Sequence, residues 1–67
     1  MKKVELEVLY QLNTARLEMT SDPRTADLRI GFAHWLVFEF ADDMGAFVDV
    51  KAEYAKFLEY ESEKVGA

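Results

Sequence analysis

Cysteine is absent from this chain, and histidine occurs once, as His34. Without thiols there is no disulfide framework, and one imidazole does not make a Cys/His metal cage. Proline also occurs once and glycine three times, so strong punctuation is confined to a few places. Basic residues are the minority, 8 against 13 acidic ones for a formal net charge of −5. Affinity for nucleic acid comes chiefly from Lys and Arg neutralising phosphates, and this balance runs against it. Long hydrophobic runs are missing as well. The most apolar stretch, Ile30 to Ala41, contains His34 and Glu39 and is 12 residues long, whereas a bilayer-spanning helix takes about 20. After Lys2 and Lys3, Glu5 and Glu7 interrupt the apolar core that an export signal requires. A cytoplasmic location, away from membranes, is the expectation.

What is present is a chain of 67 residues that is 51% hydrophobic, with five Phe, three Tyr and one Trp. That is too apolar for intrinsic disorder. It is enough for a single small domain, whose core at this length supplies only about 3–5 kcal/mol. Two breaks divide it. At Thr20-Ser21-Asp22-Pro23, an Asp22 N-cap ahead of proline at the first helical position starts a helix, because proline there loses no hydrogen bond. At Asp42-Asp43-Met44-Gly45, the glycine ends one helix and an aspartate caps the next. The expected architecture is all-α: a three-helix or helical-hairpin module with helices over about residues 3–20, 23–42 and 46–63.

The three segments differ in how clearly they read. In the third, Phe47, Val50, Tyr54, Phe57 and Leu58 share a stripe opposite Asp49, Glu53, Lys56 and Glu63, which is amphipathic helix. In the first, Val4, Val8, Leu12, Ala15 and Met19 share a helical face, yet Val4, Leu6, Val8, Tyr10 and Leu12 also alternate as in a strand. The longer helical stripe favours helix and leaves the strand reading open. In the middle segment, Leu28, Phe32, Trp35 and Leu36 cover one side of a helix and Ile30, Val37 and Phe38 the opposite side. A strand alternation through Ile30, Phe32, Leu36, Phe38 and Phe40 competes, but the capped start and the length favour helix.

A helix apolar all round is normally buried, and two short neighbours do not cover its circumference. Each large side chain left in water forgoes roughly 1.5–3 kcal/mol. The expectation is therefore a homodimer centred on the second helix, with Ile30, Phe32, His34, Trp35, Val37, Phe38, Glu39 and Phe40 at the interface. Gly31 and Ala33 serve either close approach of another helix or relief of crowding beside Phe32 and Trp35.

Candidate chemistry is sparse. The positions three and four residues from His34 hold Ile30, Gly31, Val37 and Phe38, and Asp27 is about 10.5 Å away by helical rise. A core or interface histidine bonded to backbone is the better reading. Asp42 and Asp43 are expected to cap the third helix. Glu39 either pairs with Arg29 or Arg24 across an interface or marks a narrow solvent edge. No phosphate loop, nucleophile elbow, metalloprotease or calcium-loop pattern occurs. No enzyme activity is expected, and no catalytic, metal-binding or cofactor-binding residue.

The expected function is protein interaction: a small acidic regulator or inhibitor that covers a partner protein through an apolar, aromatic helical surface. Trp35, Tyr10, Tyr54 and Tyr60 are residue types enriched at binding hot spots. Free-standing chains this short are common among bacteriophage accessory proteins. Two other classes compete. One is an acidic decoy imitating nucleic acid, against which Lys51, Lys56 and Lys64 interleave the carboxylates. The other is a structural subunit of a larger symmetric assembly.

Overall fold

The computed structural model describes residues 1–66. Asp22 and Pro23 behave as their chemistry dictates. The Asp22 carboxylate accepts from the Thr25 backbone N–H at 3.2 Å and from the Thr25 hydroxyl at 2.6 Å, and Pro23 opens the helix α2 (Pro23–Glu39). Those two bonds to Thr25, side chain first, hold the Asp22 carboxyl below its ordinary range. Before it runs α1 (Val4–Glu18), whose Glu18 carbonyl accepts from the Ser21 and Asp22 amides at the turn. After it comes α3 (Val50–Gly66). The fold is an all-α three-helix module, with a Cα radius of gyration of 12.0 Å.

The open strand reading of the first segment is resolved as helix, with only Lys2–Lys3 extended, as β1. α1 carries no side-chain cap. Its free amides are satisfied from elsewhere: Val4 N–H donates to the Ala46 carbonyl at 2.9 Å and Glu5 N–H to the Met44 carbonyl at 3.0 Å. Unpaired helix-end amides need such partners, so the loop after α2 is the N-terminal cap of α1. The same tether brings β2 (Phe47–Val48) antiparallel to β1, with Lys2 opposite Val48 and Lys3 opposite Phe47.

This tether corrects two helix boundaries. α2 ends at Glu39 rather than near Asp42, and α3 starts at Val50 rather than near Ala46. Residues 44–48 are used to cap α1 and pair with β1, so they are not free to wind. Asp42 and Asp43 consequently do not cap α3. Asp49 does, its carboxylate accepting from the Lys51 and Ala52 amides. Gly45 does not adopt the left-handed conformation of a helix stop. Phe47, expected on the third helical stripe, is exposed in the strand.

The core is one cluster: Val4 and Val8 of α1, Phe32, Ala33 and Leu36 of α2, Val48, and Phe57 of α3. Trp35, Phe40, Met44, Ala46, Val50 and Tyr54 pack at its edge. On α1 the buried face is Val4, Glu7, Val8, Gln11 and Ala15. Leu12 and Met19, expected on it, sit exposed at its margins.

Candidate interaction site

The apolar circumference of α2 is divided between its two neighbours. Toward α1 it presents Ala26, Arg29 and Ala33, with both alanines fully buried. Arg29 reaches α1 through its Nε–H to Glu18 at 2.6 Å and an Nη–H to the Gln11 side-chain carbonyl at 3.0 Å. The bond to Glu18 is the main reason that the Arg29 guanidinium holds its proton even more firmly than usual. Toward α3 it presents Gly31, Phe32 and Trp35. Phe32 meets Tyr54 edge-on at 5.1 Å between centroids and Phe57 at 5.5 Å, and Trp35 meets Phe57 at 6.3 Å. A Cβ on Gly31 would lie 3.2 Å from Phe57 Cζ, so the glycine makes room for that ring.

What neither neighbour covers is the side bearing Ile30, His34, Val37 and Phe38. Phe38 is 82% exposed and Val37 41% exposed, while Ile30 is half-buried. Next to this side, α2 and α3 enclose a half-open groove of about 400 Å³ lined by Gly31, His34, Trp35, Phe38, Glu39, Phe57, Tyr60, Glu61 and Lys64. Gly31 and the buried Phe57 ring adjoin one another in its lining.

The residues expected at an interface therefore separate into three groups. Phe32 is fully buried within its own chain and is not available to a partner. Ile30, Trp35 and Phe40 are half-buried. His34, Val37, Phe38 and Glu39 are exposed. His34 is thus a surface residue and not a core one. Tyr10 and Tyr60 are exposed, whereas Tyr54 is taken into the core edge against Phe32. Arg29, one suggested mate for Glu39, is held by Glu18 and Gln11 of its own chain.

A polar chain that the sequence pattern does not announce lies inside the α1–α2 seam. Glu7 is only 1% exposed; Gln11 donates to its Oε2 at 2.6 Å, and Lys2 Nζ stands 3.5 Å from its Oε1. That second oxygen has no hydrogen-bond partner among the described residues. The chain Lys2–Glu7–Gln11–Arg29–Glu18 crosses from the chain start to α2. Its only trace in the sequence is that Glu7 and Gln11 lie at i and i+4 on the face shared by Val4, Val8 and Ala15.

Charge is unevenly spread along the chain. Up to Phe38, Glu5, Glu7, Glu18, Asp22 and Asp27 are balanced by Lys2, Lys3, Arg16, Arg24 and Arg29. All of the net −5 comes from Glu39 onward, the part that supplies one wall of the groove. Among the described residues no three His, Asp or Glu side chains gather in a metal-holding group, and no helix is long and apolar enough to cross a membrane. No family model matches the chain, and no curated protein or solved structure is significantly similar to it.

Proposed function

We propose that this protein is a cytoplasmic protein-interaction module that acts as a regulator or inhibitor by masking an amphipathic helix of a partner protein. The observation that carries the reading is Phe38, an aromatic side chain 82% exposed at the lip of an aromatic-floored groove. A helix laid into such a groove presents apolar anchors at three- and four-residue spacing. The partner's flanks are basic, since the segment from Glu39 onward, which supplies one wall of the groove including Glu39 and Glu61, accounts for all of the chain's net −5 and like charge across an interface is penalised. Aromatic anchors of this kind dominate binding energy.

Trp35 lines the groove and is the only tryptophan, so its fluorescence reports occupancy directly. A synthetic amphipathic helix with a Leu/Phe stripe and Lys/Arg flanks is expected to shift that emission and saturate at micromolar concentration. Phe38→Ala should weaken this at least about tenfold, the loss of a modest hot spot. The same stripe with Glu flanks should bind worse. Equal binding of both peptides, or none of either, defeats the proposal. Binding that depends on salt but not on Phe38 points instead to an acidic decoy.

A further inference from the structure

α1 is apolar on two opposite sides, and only one of them faces the core. On the other, Leu6, Tyr10, Asn13 and Leu17 recur at spacings of four, three and four, the seam of a helix pair. Leu6, Tyr10 and Leu17 are all at least half exposed, Leu17 at 78%. Beyond the Leu6 end the surface opens into a hollow of about 550 Å³ lined by Met1, Lys2, Lys3, Glu5, Leu6 and Phe47. At the other end Leu17 projects as a knob. Tyr10, mid-seam, is flanked by two cations, Lys2 Nζ at 4.9 Å and Arg29 Cζ at 5.9 Å from its ring.

We infer that a second copy of this chain docks on this face, α1 against α1 in antiparallel orientation about a two-fold axis. Three observations select that occupant. The first is reciprocity of shape. In a two-fold interface, if one residue meets another, the reverse contact is made as well. Leu6 and Leu17 are eleven residues apart, three helical turns or about 16.5 Å, so reversal places each Leu17 in the hollow beside the other copy's Leu6. The second is reciprocity of charge. Glu5 and Arg16 are also eleven residues apart and both exposed. Neither takes part in an intramolecular ion pair among the described residues. Reversal brings Glu5 of each copy to Arg16 of the other, on one flank of the seam. The midpoints of the two pairs differ by a single residue, within the reach of an arginine.

The third is area and net charge. Met1, Leu6, Leu9, Tyr10, Leu17 and Phe47 are the large exposed side chains here. At roughly 100 Å² each, with Glu5, Asn13 and Arg16 at the rim, the face approaches the ~800 Å² per partner of a standard interface. That is about a sixth of the chain's 4883 Å² surface. Because the chain is formally neutral up to Phe38, two copies meet here without the repulsion that pairing through the acidic half would bring. The homodimer is thereby placed on α1, and the α2–α3 groove stays free on its far side.

Sedimentation velocity on the full chain across a dilution series, up to about 300 µM, tests this. The wild type should pass from a 7.7 kDa species to one of twice that mass. Leu17→Glu, at a side chain outside the core, should stay monomeric with an unchanged circular dichroism spectrum. Glu5→Arg and Arg16→Glu should each weaken association about 3- to 10-fold, two symmetric rim pairs being lost, and the double exchange should restore it. Phe38→Glu should dimerise as wild type does. A wild type that stays monomeric throughout overturns the inference, as does a dimer indifferent to Leu17→Glu or one abolished by Phe38→Glu. Single exchanges that weaken the dimer with no recovery in the double overturn the antiparallel register.

Discussion

The seam between α1 and α2 and the seam between α2 and α3 are made of different materials. The first uses small side chains, Ala15, Ala26 and Ala33, all essentially inaccessible, and is crossed by Glu7, Gln11, Arg29 and Glu18. The second uses rings: Phe32, Trp35, Tyr54 and Phe57 meet at 5.1–6.3 Å between centroids. Alanines let two backbones close up, and polar bonds in a closed seam then fix the register, because any slip leaves a buried group unpaired. Rings hold two helices farther apart, and the space they prop open becomes a groove. The same contrast carries to the outer surfaces. The face proposed for self-association belongs to the neutral, closely packed half, and the groove to the acidic, aromatic one.

The hardest blow falls on the aromatic seam. Phe57→Ala is expected to cost about 3–5 kcal/mol, the usual range for deleting a buried ring. That is most of the stability of a domain this small, so urea melts should show a chain largely unfolded at 25 °C. The gentler Phe57→Leu should instead raise amide exchange in α3 more than in α1, and equal loosening of both would erase the distinction between the seams.

The polar seam gives a smaller loss of different character. Glu7→Ala strands the Gln11 amide in a closed interface and should cost about 2–3 kcal/mol. Replacing Glu7 and Gln11 together by leucine should restore stability to within about 1 kcal/mol, since apolar substitutes for a buried polar pair are often neutral. A double variant as weak as the single one would mean that the polar chain supplies stability and not register.

Smaller still, Asp49→Ala should lower stability by about 1 kcal/mol through loss of the α3 cap, whereas Asp43→Ala should be almost silent. Asp22 adds a pH signature. Its carboxyl is held below the ordinary aspartate range by its two bonds to Thr25, so its contribution is complete above that range. It fades as the pH falls through the lowered one, and Asp22→Asn should flatten that acid limb of a stability–pH curve. Gly31→Ala should change least. A gain of about 1 kcal/mol in helix propensity is opposed by crowding of the Phe57 ring, whose Cζ would lie 3.2 Å from the new Cβ. A gain approaching the full propensity value would mean that the ring has room to move.

Much of this was legible from the residues. The Asp22–Pro23 start, the helical nature of all three segments, and the excess of apolar surface around Val37 and Phe38 follow from capping chemistry and helical period. The excess itself was distributed differently from the expectation. α2 hides Phe32 and Leu36 completely, and α1, read as having a single apolar stripe, leaves Leu6, Leu9 and Leu17 in solvent. Strict alternation from Val4 to Leu12 was the sign: wound into a helix, it distributes apolar residues to both sides.

The sequence by itself determined three helices and a surplus of apolar side chains, because caps and periodicity act over a few residues and need no distant partner. Only the tertiary structure decided that residues 44–48 serve the start of α1 instead of the start of α3, and that a glutamate and a glutamine lie in the core. Which side of each helix remains bare was decided there as well. Those outcomes depend on amides, ions and rings brought together from opposite ends of the chain, and local pattern carries no record of such meetings.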